Sequence, residues 1–206
     1  MSFILFPVRV PVLPVSFLSV SMDLVFVCEL DGFQYRQSSS IVKQLVLSPL
    51  DGGPPATFTF DTRFLLNDSP ATLRCYQYAT RNVHGLPIAL PGLPYASRHE
   101  AVTAYLRHKA YKFLEDTGHS SQFGPRILIL TKGEQKVRIL RELIEIHSFL
   151  ESLEIEDLQD YSCPSTVSVI GCRSSTGARA AVFSAWIKGR FQEAFPDAAP
   201  PTSLAF

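Results

Sequence analysis

The sequence predicts a mixed α/β domain, in which three antiparallel strands are followed by alternating helices and strands, with helices on both faces of the sheet. Short β-rich runs separated by tight polar links occupy the first part of the chain. Farther on, segments with apolar residues at helical spacing alternate with apolar runs of strand length. Because a meander that continues into alternating β and α units builds one mixed sheet, we expect that architecture here.

The antiparallel strands are expected within the first 60 residues. Residues 24–27 are continuously apolar, residues 33–36 alternate between apolar and polar side chains, and residues 41–47 form a third β-rich run. Residues 57–60 are expected to add a short edge strand. From residue 67 to residue 94 the sequence has little periodicity, so we expect a long irregular connection there.

The first predicted helix lies in the middle of the chain. Ser97 and Glu100 have the spacing of a capping box, in which each side chain bonds a free backbone N–H at the start of the helix. Gly118 is expected to end this helix. Residues 127–130 then form a continuous apolar run, which is typical of a strand buried on both faces.

The last third of the chain continues the alternation. A second helix is expected after Gly133, because apolar side chains recur at helical spacing as far as Leu150. A short fifth strand over residues 154–158 and an amphipathic helix over residues 177–191 complete the predicted fold.

The chain is predicted to contain one domain and two flanking segments. Its 206 residues suit a single core, which we assign to residues 22–192. Residues 1–21 are an apolar extension, in which three prolines and Arg9 argue against a transmembrane helix. Residues 193–206 are expected to be a flexible tail. Because the extension lacks the basic start of a signal peptide, we expect an intracellular protein, nuclear or cytoplasmic, with no membrane partner.

Composition excludes several classes of protein. The 19 Lys and Arg residues balance the 19 Asp and Glu residues, so no overall field steers the chain toward nucleic acid, and such a contact requires a local patch. Four cysteines are too few for a secreted disulfide scaffold. Cys28 and Cys75 lie in apolar sequence, which predicts reduced and buried thiols.

The pair Glu29 and Asp31 is the first candidate site. Both acids follow an apolar strand at a spacing of two residues, so their side chains leave the same face, opposite to Cys28 and Leu30. Neighbouring carboxylates repel each other, and a divalent cation offsets the cost of desolvating them. The alternative is an acid pair that ends a strand in solvent, before a turn at Gly32.

The segment Glu29-Leu30-Asp31, within this order of elements, resembles the first motif of the ribonuclease H-like 3′–5′ exonucleases, which use four acidic residues and two metal ions. The family has Asp-x-Glu at this point, so the two acid types are exchanged. Its second motif places an Asp on the first turn of a helix; that position falls at about Lys136, and Glu134 is the nearest acid. Its third motif has a His and an Asp at the start of the last helix, and residues 172–181 contain neither.

Four shorter matches resemble a looser group of exonuclease-like proteins of viral and transposon-like origin in animals. The shared features are an acid-x-x-Gly-Phe strand end, a His-Gly-Leu-Pro loop, a Lys-Gly-x-x-Lys turn and a Cys-Pro segment. In this chain they lie at residues 29–33, 84–87, 132–136 and 163–164.

The resemblance implies a ribonuclease H-like sheet with a degenerate two-metal site. Glu29 and Asp31 would be the catalytic and metal-binding pair, and Asp157 would be a third metal ligand if the fifth strand lies close to the first. Mg²⁺ or Mn²⁺ would be the cofactor, because two such ions held by carboxylates catalyse phosphodiester hydrolysis. Lys136 instead puts a fixed positive charge where a cation should lie, and the general base expected before the last helix is missing.

Three basic side chains are candidate contacts for the phosphates of a nucleic acid. Lys132 and Lys136 flank Gly133 at a predicted helix N-terminus, where free N–H groups and the helix dipole favour anions. His84 lies in the His-Gly-Leu-Pro loop and is a candidate displaced base. The alternatives are a pair of solvated lysines and a histidine that bonds the local backbone.

Two functional hypotheses follow from these observations. The first is an exonuclease-like domain that binds single-stranded nucleic acid, with at most weak metal-dependent 3′–5′ hydrolysis. The second is a non-catalytic protein-interaction module that kept the ribonuclease H-like fold. The first hypothesis requires a third carboxylate within reach of Glu29 and Asp31, whereas the second does not.

Overall fold

A computed structural model describes residues 23–35, 39–118, 125–144, 153–161, 163 and 175–194. Five strands form one sheet in the order β3-β2-β1-β4-β5. Strand β2 pairs antiparallel with both β1 and β3, whereas β4 is parallel to β1 and β5 is parallel to β4. The strands are β1 (Asp23–Tyr35), β2 (Ser39–Pro49), β3 (Ala56–Thr59), β4 (Arg126–Thr131) and β5 (Leu153–Asp157). The predicted mixed α/β fold class is confirmed, and the topology is consistent with a ribonuclease H-like sheet.

Helices pack on both faces of the sheet, as predicted. The α-helices within the described residues are α1 (Pro70–Ala79), α2 (Arg98–Thr117), α3 (Glu134–Leu143) and α4 (Thr176–Ala194). Helices α2 and α3 bury their apolar side chains against one face, which includes Phe26 and Cys28 of β1. Helix α4 covers the opposite face, where Phe183 and Ile187 pack against Val27. Successive residues of β1 therefore point into two different cores.

The turn predicted at Gly32 is wrong, because β1 continues through it as one strand to Tyr35. Asp31 pairs with Gln44 while Gly32 pairs with Val42, so Lys43 is an extra residue on β2 and forms a β-bulge. The acid pair consequently lies within a strand and not at its end. The bulge also explains the glycine: a Cβ on Gly32 would lie 2.0 Å from the Ile41 carbonyl oxygen.

Gly32→Ala is expected to destabilise the fold by about 1–3 kcal/mol, the usual cost of overpacking a closed interior. The matched control is Gly189→Ala on α4, where an added Cβ meets no atom within 4 Å. Because alanine is the better helix former, that control is expected to stabilise the protein by about 0.5–1 kcal/mol. Urea unfolding of both variants measures these changes, and equal effects would contradict the packing seen at the bulge.

The irregular connection predicted between residues 67 and 94 is also wrong in its first half. Helix α1 occupies residues 70–79, and one π-helical turn, Thr80–His84, extends it to Gly85, whose φ is 75°. The overlooked signal was the pair Ser69-Pro70: the Ser69 hydroxyl accepts a hydrogen bond from the Thr72 N–H, and proline suits the first position of a helix.

The remaining boundaries agree with the sequence to within a few residues. Helix α2 begins at Arg98 and Gly118 caps its C-terminus, as predicted, but the capping box is wrong, because the Ser97 side chain makes no capping hydrogen bond. Helix α3 ends at Leu143, and the predicted continuation to Leu150 lies outside the described residues. The extension over residues 1–21 and most of the tail over residues 193–206 also lie outside them. In the part of the chain that is described, no helix is long and apolar enough to cross a membrane.

Candidate functional site: a buried ion-pair cluster

The Glu29 and Asp31 side chains leave the same face of β1, as the two-residue spacing predicted. Glu29 is fully buried, and 12% of the Asp31 side chain is exposed. They lie in the middle of the sheet, beyond the point where Val27 pairs with Leu130 near the end of β4. A buried carboxylate requires a compensating charge or several hydrogen bonds, so its partners determine what this site can do.

Two basic side chains of the protein compensate the acid pair. The Lys136 Nζ lies 2.7 Å from both carboxylate oxygens of Glu29. The Arg179 Nε donates to the Glu29 Oε2 at 2.9 Å, and its Nη2 donates to the Asp31 Oδ2. Together with Thr176, whose hydroxyl donates to the Asp31 Oδ2 at 2.8 Å, these side chains form what we call the ion-pair cluster. Two negative and two positive charges give it a formal charge of zero.

The turn between β4 and α3 positions Lys136. Gly133 has a φ of 105°, a value that only glycine adopts readily, and α3 starts at the next residue. The Asp157 Oδ1 accepts hydrogen bonds from the backbone N–H groups of Gly133 and Gln159, both at 2.8 Å. Asp157 therefore holds this turn together, which brings the first turn of α3 next to Glu29.

Helix α4 supplies the other half of the cluster, which the sequence reasoning missed. Thr176 and Arg179 lie on the same helical stripe as Phe183 and Ile187, at spacings of three and four residues, and all four are buried. This spacing was the available signal, because an arginine on the buried stripe of a helix needs an acidic partner. The Asp31 carboxylate on β1 contacts Thr176, the first residue of α4, and the dipole of that helix also favours a negative charge there.

Neither of the other two predicted phosphate contacts faces outward. The Lys132 Nζ donates to the Cys163 carbonyl oxygen and lies 5.9 Å from the centre of the Phe183 ring. His84 is 5% exposed, its Nδ1 accepts from the Leu86 N–H at 3.0 Å, and its ring packs edge-on against Phe33 at 5.1 Å. The structure thus brings Lys136 to the acid pair and places Lys132 and His84 in inward contacts near it.

Burial lowers the pKa of His84 below its usual value, although the Asp31 carboxylate and the Gly32 backbone oppose the shift. The folded state therefore binds this proton more weakly than the unfolded state, so stability is fully present above a pH of about 6.5 and is lost as the pH falls through the folded pKa.

His84→Asn keeps an acceptor for the Leu86 N–H but does not titrate. Urea unfolding at pH 8 and pH 5.5 is expected to show a larger loss for the wild type than for this variant, whereas His108→Asn, at an exposed position on α2, should match the wild type. Equal losses for wild type and His84→Asn would contradict this assignment.

The cysteines near the cluster are poor nucleophiles. Burial raises the pKa of Cys28 far above its usual value, and the Glu29 carboxylate adds to the effect. Burial also raises the pKa of Cys163 to about 11. Because the thiolate is the reactive form, these positions do not suit covalent catalysis. The prediction of a buried thiol holds for Cys28 and is wrong for Cys75, which is exposed.

The side chains of the cluster do not fit a divalent cation as they are arranged. Both Glu29 oxygens already contact the Lys136 ammonium, and the Arg179 guanidinium lies between the two acids. Asp157 is on β5, which β4 separates from β1, and its Oδ1 holds the α3 turn. Over the described ranges of the chain, no three His, Cys, Asp or Glu side chains are grouped so that they could bind a metal. The metal roles of Glu29, Asp31 and Asp157 stay predictions, and this geometry does not favour them.

Comparison with known proteins adds no identification. The chain matches no known protein-family model, and no curated protein is significantly similar to it in sequence.

Proposed function

We propose that this chain is a non-catalytic domain with a ribonuclease H-like sheet that binds a protein partner. The observation that carries the proposal is the closed ion-pair cluster, in which Lys136 and Arg179 saturate the two acids that a two-metal nuclease would use. Two-metal hydrolysis requires carboxylates that are free to hold both ions. In this chain the same carboxylates connect β1 to α3 and α4, and their role is to stabilise the fold.

A partly exposed aromatic patch supports binding to a protein. The patch comprises Phe64, Leu93, Tyr95 and Arg98. Phe64 and Leu93 are 47% and 44% exposed, whereas Tyr95 and Arg98 are half-buried. The centres of the Tyr95 and Phe64 rings are 5.3 Å apart, and the Arg98 guanidinium lies 4.3 Å from the centre of the Tyr95 ring. Aromatic residues and arginine are the side chains most enriched at the centres of protein interfaces.

The same patch favours single-stranded nucleic acid as a second candidate partner. An exposed ring, Phe64, beside the half-buried Tyr95 and an arginine provides a stacking surface for unpaired bases, and stacking contributes about 1–3 kcal/mol per base. The predicted phosphate contacts give this candidate less support, because the Lys132 and Lys136 ammonium groups are committed to Cys163 and Glu29. A nucleic acid would therefore have to use basic residues outside the cluster.

Hydrolysis and metal binding are tested on the wild-type chain. Incubation with single-stranded DNA or RNA and Mg²⁺ or Mn²⁺ is expected to give no cleavage, and neither metal is expected to raise the melting temperature. Cleavage that disappears in Glu29→Gln would overturn the non-catalytic assignment.

The class of partner is tested with Phe64→Asp, which places a charge in the aromatic patch. We expect some proteins that the wild type captures from cell extract to be lost with Phe64→Asp. The same proteins are expected to be captured by Tyr111→Asp, a control at an exposed aromatic residue on α2. Binding of fluorescent single-stranded oligonucleotides is measured by anisotropy with the same variants. If Phe64→Asp abolishes oligonucleotide binding and changes none of the captured proteins, the partner of the patch is nucleic acid and not a protein.

A further inference from the structure

In the ion-pair cluster, basic side chains neutralise the two carboxylates, as metal ions do in a metal site. We propose that the Lys136 ammonium takes the place of a divalent cation beside Glu29, and that an acid at position 136 opens a site for Mg²⁺ or Mn²⁺ there. The inference rests on the same cluster as the proposed function. It adds which side chain replaces the ion and what its removal would create.

The contacts distinguish Lys136 from Arg179 in this role. The Lys136 Nζ lies at the same distance, 2.7 Å, from both Glu29 oxygens, so it takes up the position from which a cation would bind that carboxylate with two oxygens. Its side chain is 27% exposed, which leaves a path from solvent, whereas the Arg179 side chain is 11% exposed and also binds Asp31. Position 136 is therefore the one where an ion could enter.

Charge predicts which substitution creates affinity for a metal. Lys136→Asp leaves three carboxylates and one guanidinium, a formal charge of minus two that one divalent cation neutralises. Lys136→Met leaves two carboxylates and the guanidinium, without a new ligand. The shorter aspartate side chain and one metal–oxygen bond of about 2.1 Å together span approximately the distance that lysine spans alone. The ion would thus lie close to the present position of the ammonium.

Thermal melting of the full chain in EDTA and in increasing Mn²⁺ or Mg²⁺ tests the proposal. Both variants are expected to melt below the wild type in EDTA, because the buried Glu29 loses one of its two cationic partners and keeps only Arg179. Saturating metal is expected to raise the melting temperature of Lys136→Asp by about 5–10 °C and to leave Lys136→Met and the wild type unchanged. Adding Glu29→Gln to Lys136→Asp is expected to abolish the metal response.

Three results would overturn the inference. These are a Lys136→Asp response no larger than that of Lys136→Met, a response that persists with Glu29→Gln, and, if Lys136→Asp is unfolded in EDTA, no recovery of its circular dichroism in millimolar metal. Metal-induced refolding of that variant supports the inference as the melting shift does. The proposed function fails on different evidence, since it depends on hydrolysis and metal response in the wild type.

Discussion

Arg179→Met is expected to lower the free energy of unfolding by about 3–5 kcal/mol, the usual cost of removing one partner from a buried ion pair. The Arg179 guanidinium contacts Glu29 through Nε and Asp31 through Nη2, and it is itself almost fully buried. Without it, two carboxylates lie side by side in the interior with only the Lys136 ammonium to compensate them. Urea or thermal unfolding measures the loss.

Two further variants test whether the loss in Arg179→Met comes from the missing charge beside Glu29. Arg138→Met changes an exposed arginine on α3 and is expected to alter stability by less than about 0.5 kcal/mol. Glu29→Gln combined with Arg179→Met is expected to recover part of the loss, because the neutral amide no longer needs a cation. A loss below about 1 kcal/mol for Arg179→Met would contradict the buried ion-pair cluster.

Lys43→Met is expected to destabilise the protein by about 2–4 kcal/mol, because it removes the Lys43 donor from the Phe60 and Leu90 carbonyl groups. Lys43 is fully buried at the bulge of β2, and its Nζ donates to the carbonyl oxygens of Phe60 at 2.8 Å, Ile88 at 3.4 Å and Leu90 at 2.5 Å. Burial lowers the pKa of this lysine, since the charged form is desolvated. Methionine fills similar space but donates no hydrogen bond, so among the described residues only the Ile88 carbonyl keeps a side-chain donor, the Thr62 hydroxyl.

Hydrogen exchange locates the effect of Lys43→Met. The Leu93 N–H donates to the Thr59 carbonyl and the Asp61 N–H donates to the Leu93 carbonyl, so both amides report on the segment that Lys43 attaches to the sheet. Both are expected to lose protection in Lys43→Met and to keep it in Lys112→Met, at an exposed position on α2. Unchanged protection of both amides would contradict this role of Lys43.

Three features that local sequence determines were predicted correctly, although the helix start at Ser69-Pro70 was missed and the capping box at Ser97 was wrong. Alternation along β1 put Glu29 and Asp31 on one face because side-chain direction in a strand repeats every two residues. The turn after β4 put Lys136 at the start of a helix, and the parallel pairing of β1 with β4 brought that helix to Glu29. Gly118 ended α2 as expected, since its φ of 65° suits glycine.

The features that depend on distant contacts were not predicted. Arg179 and Asp31 are separated by 148 residues, and no periodicity in either segment refers to the other. The Lys43 ammonium at the bulge is hydrogen-bonded to carbonyl groups up to 47 residues away. Nothing near Gly32 in the sequence indicates these contacts, so the segment resembled a turn. The acid pair was therefore expected at the end of a strand, where a metal is accessible, and lies instead in the interior, where side chains compensate it.

A double-mutant cycle between Glu29 and Lys136, measured by urea unfolding in EDTA, tests most directly whether side chains compensate the acid pair. Glu29→Gln and Lys136→Met are each expected to destabilise the protein, and the combined variant is expected to lose at least about 1.5 kcal/mol less than the sum of the two single losses. Losses that add to within about 0.5 kcal/mol would mean that the two side chains are not coupled. That result would contradict the conclusion that Lys136 and Arg179 compensate the buried acid pair.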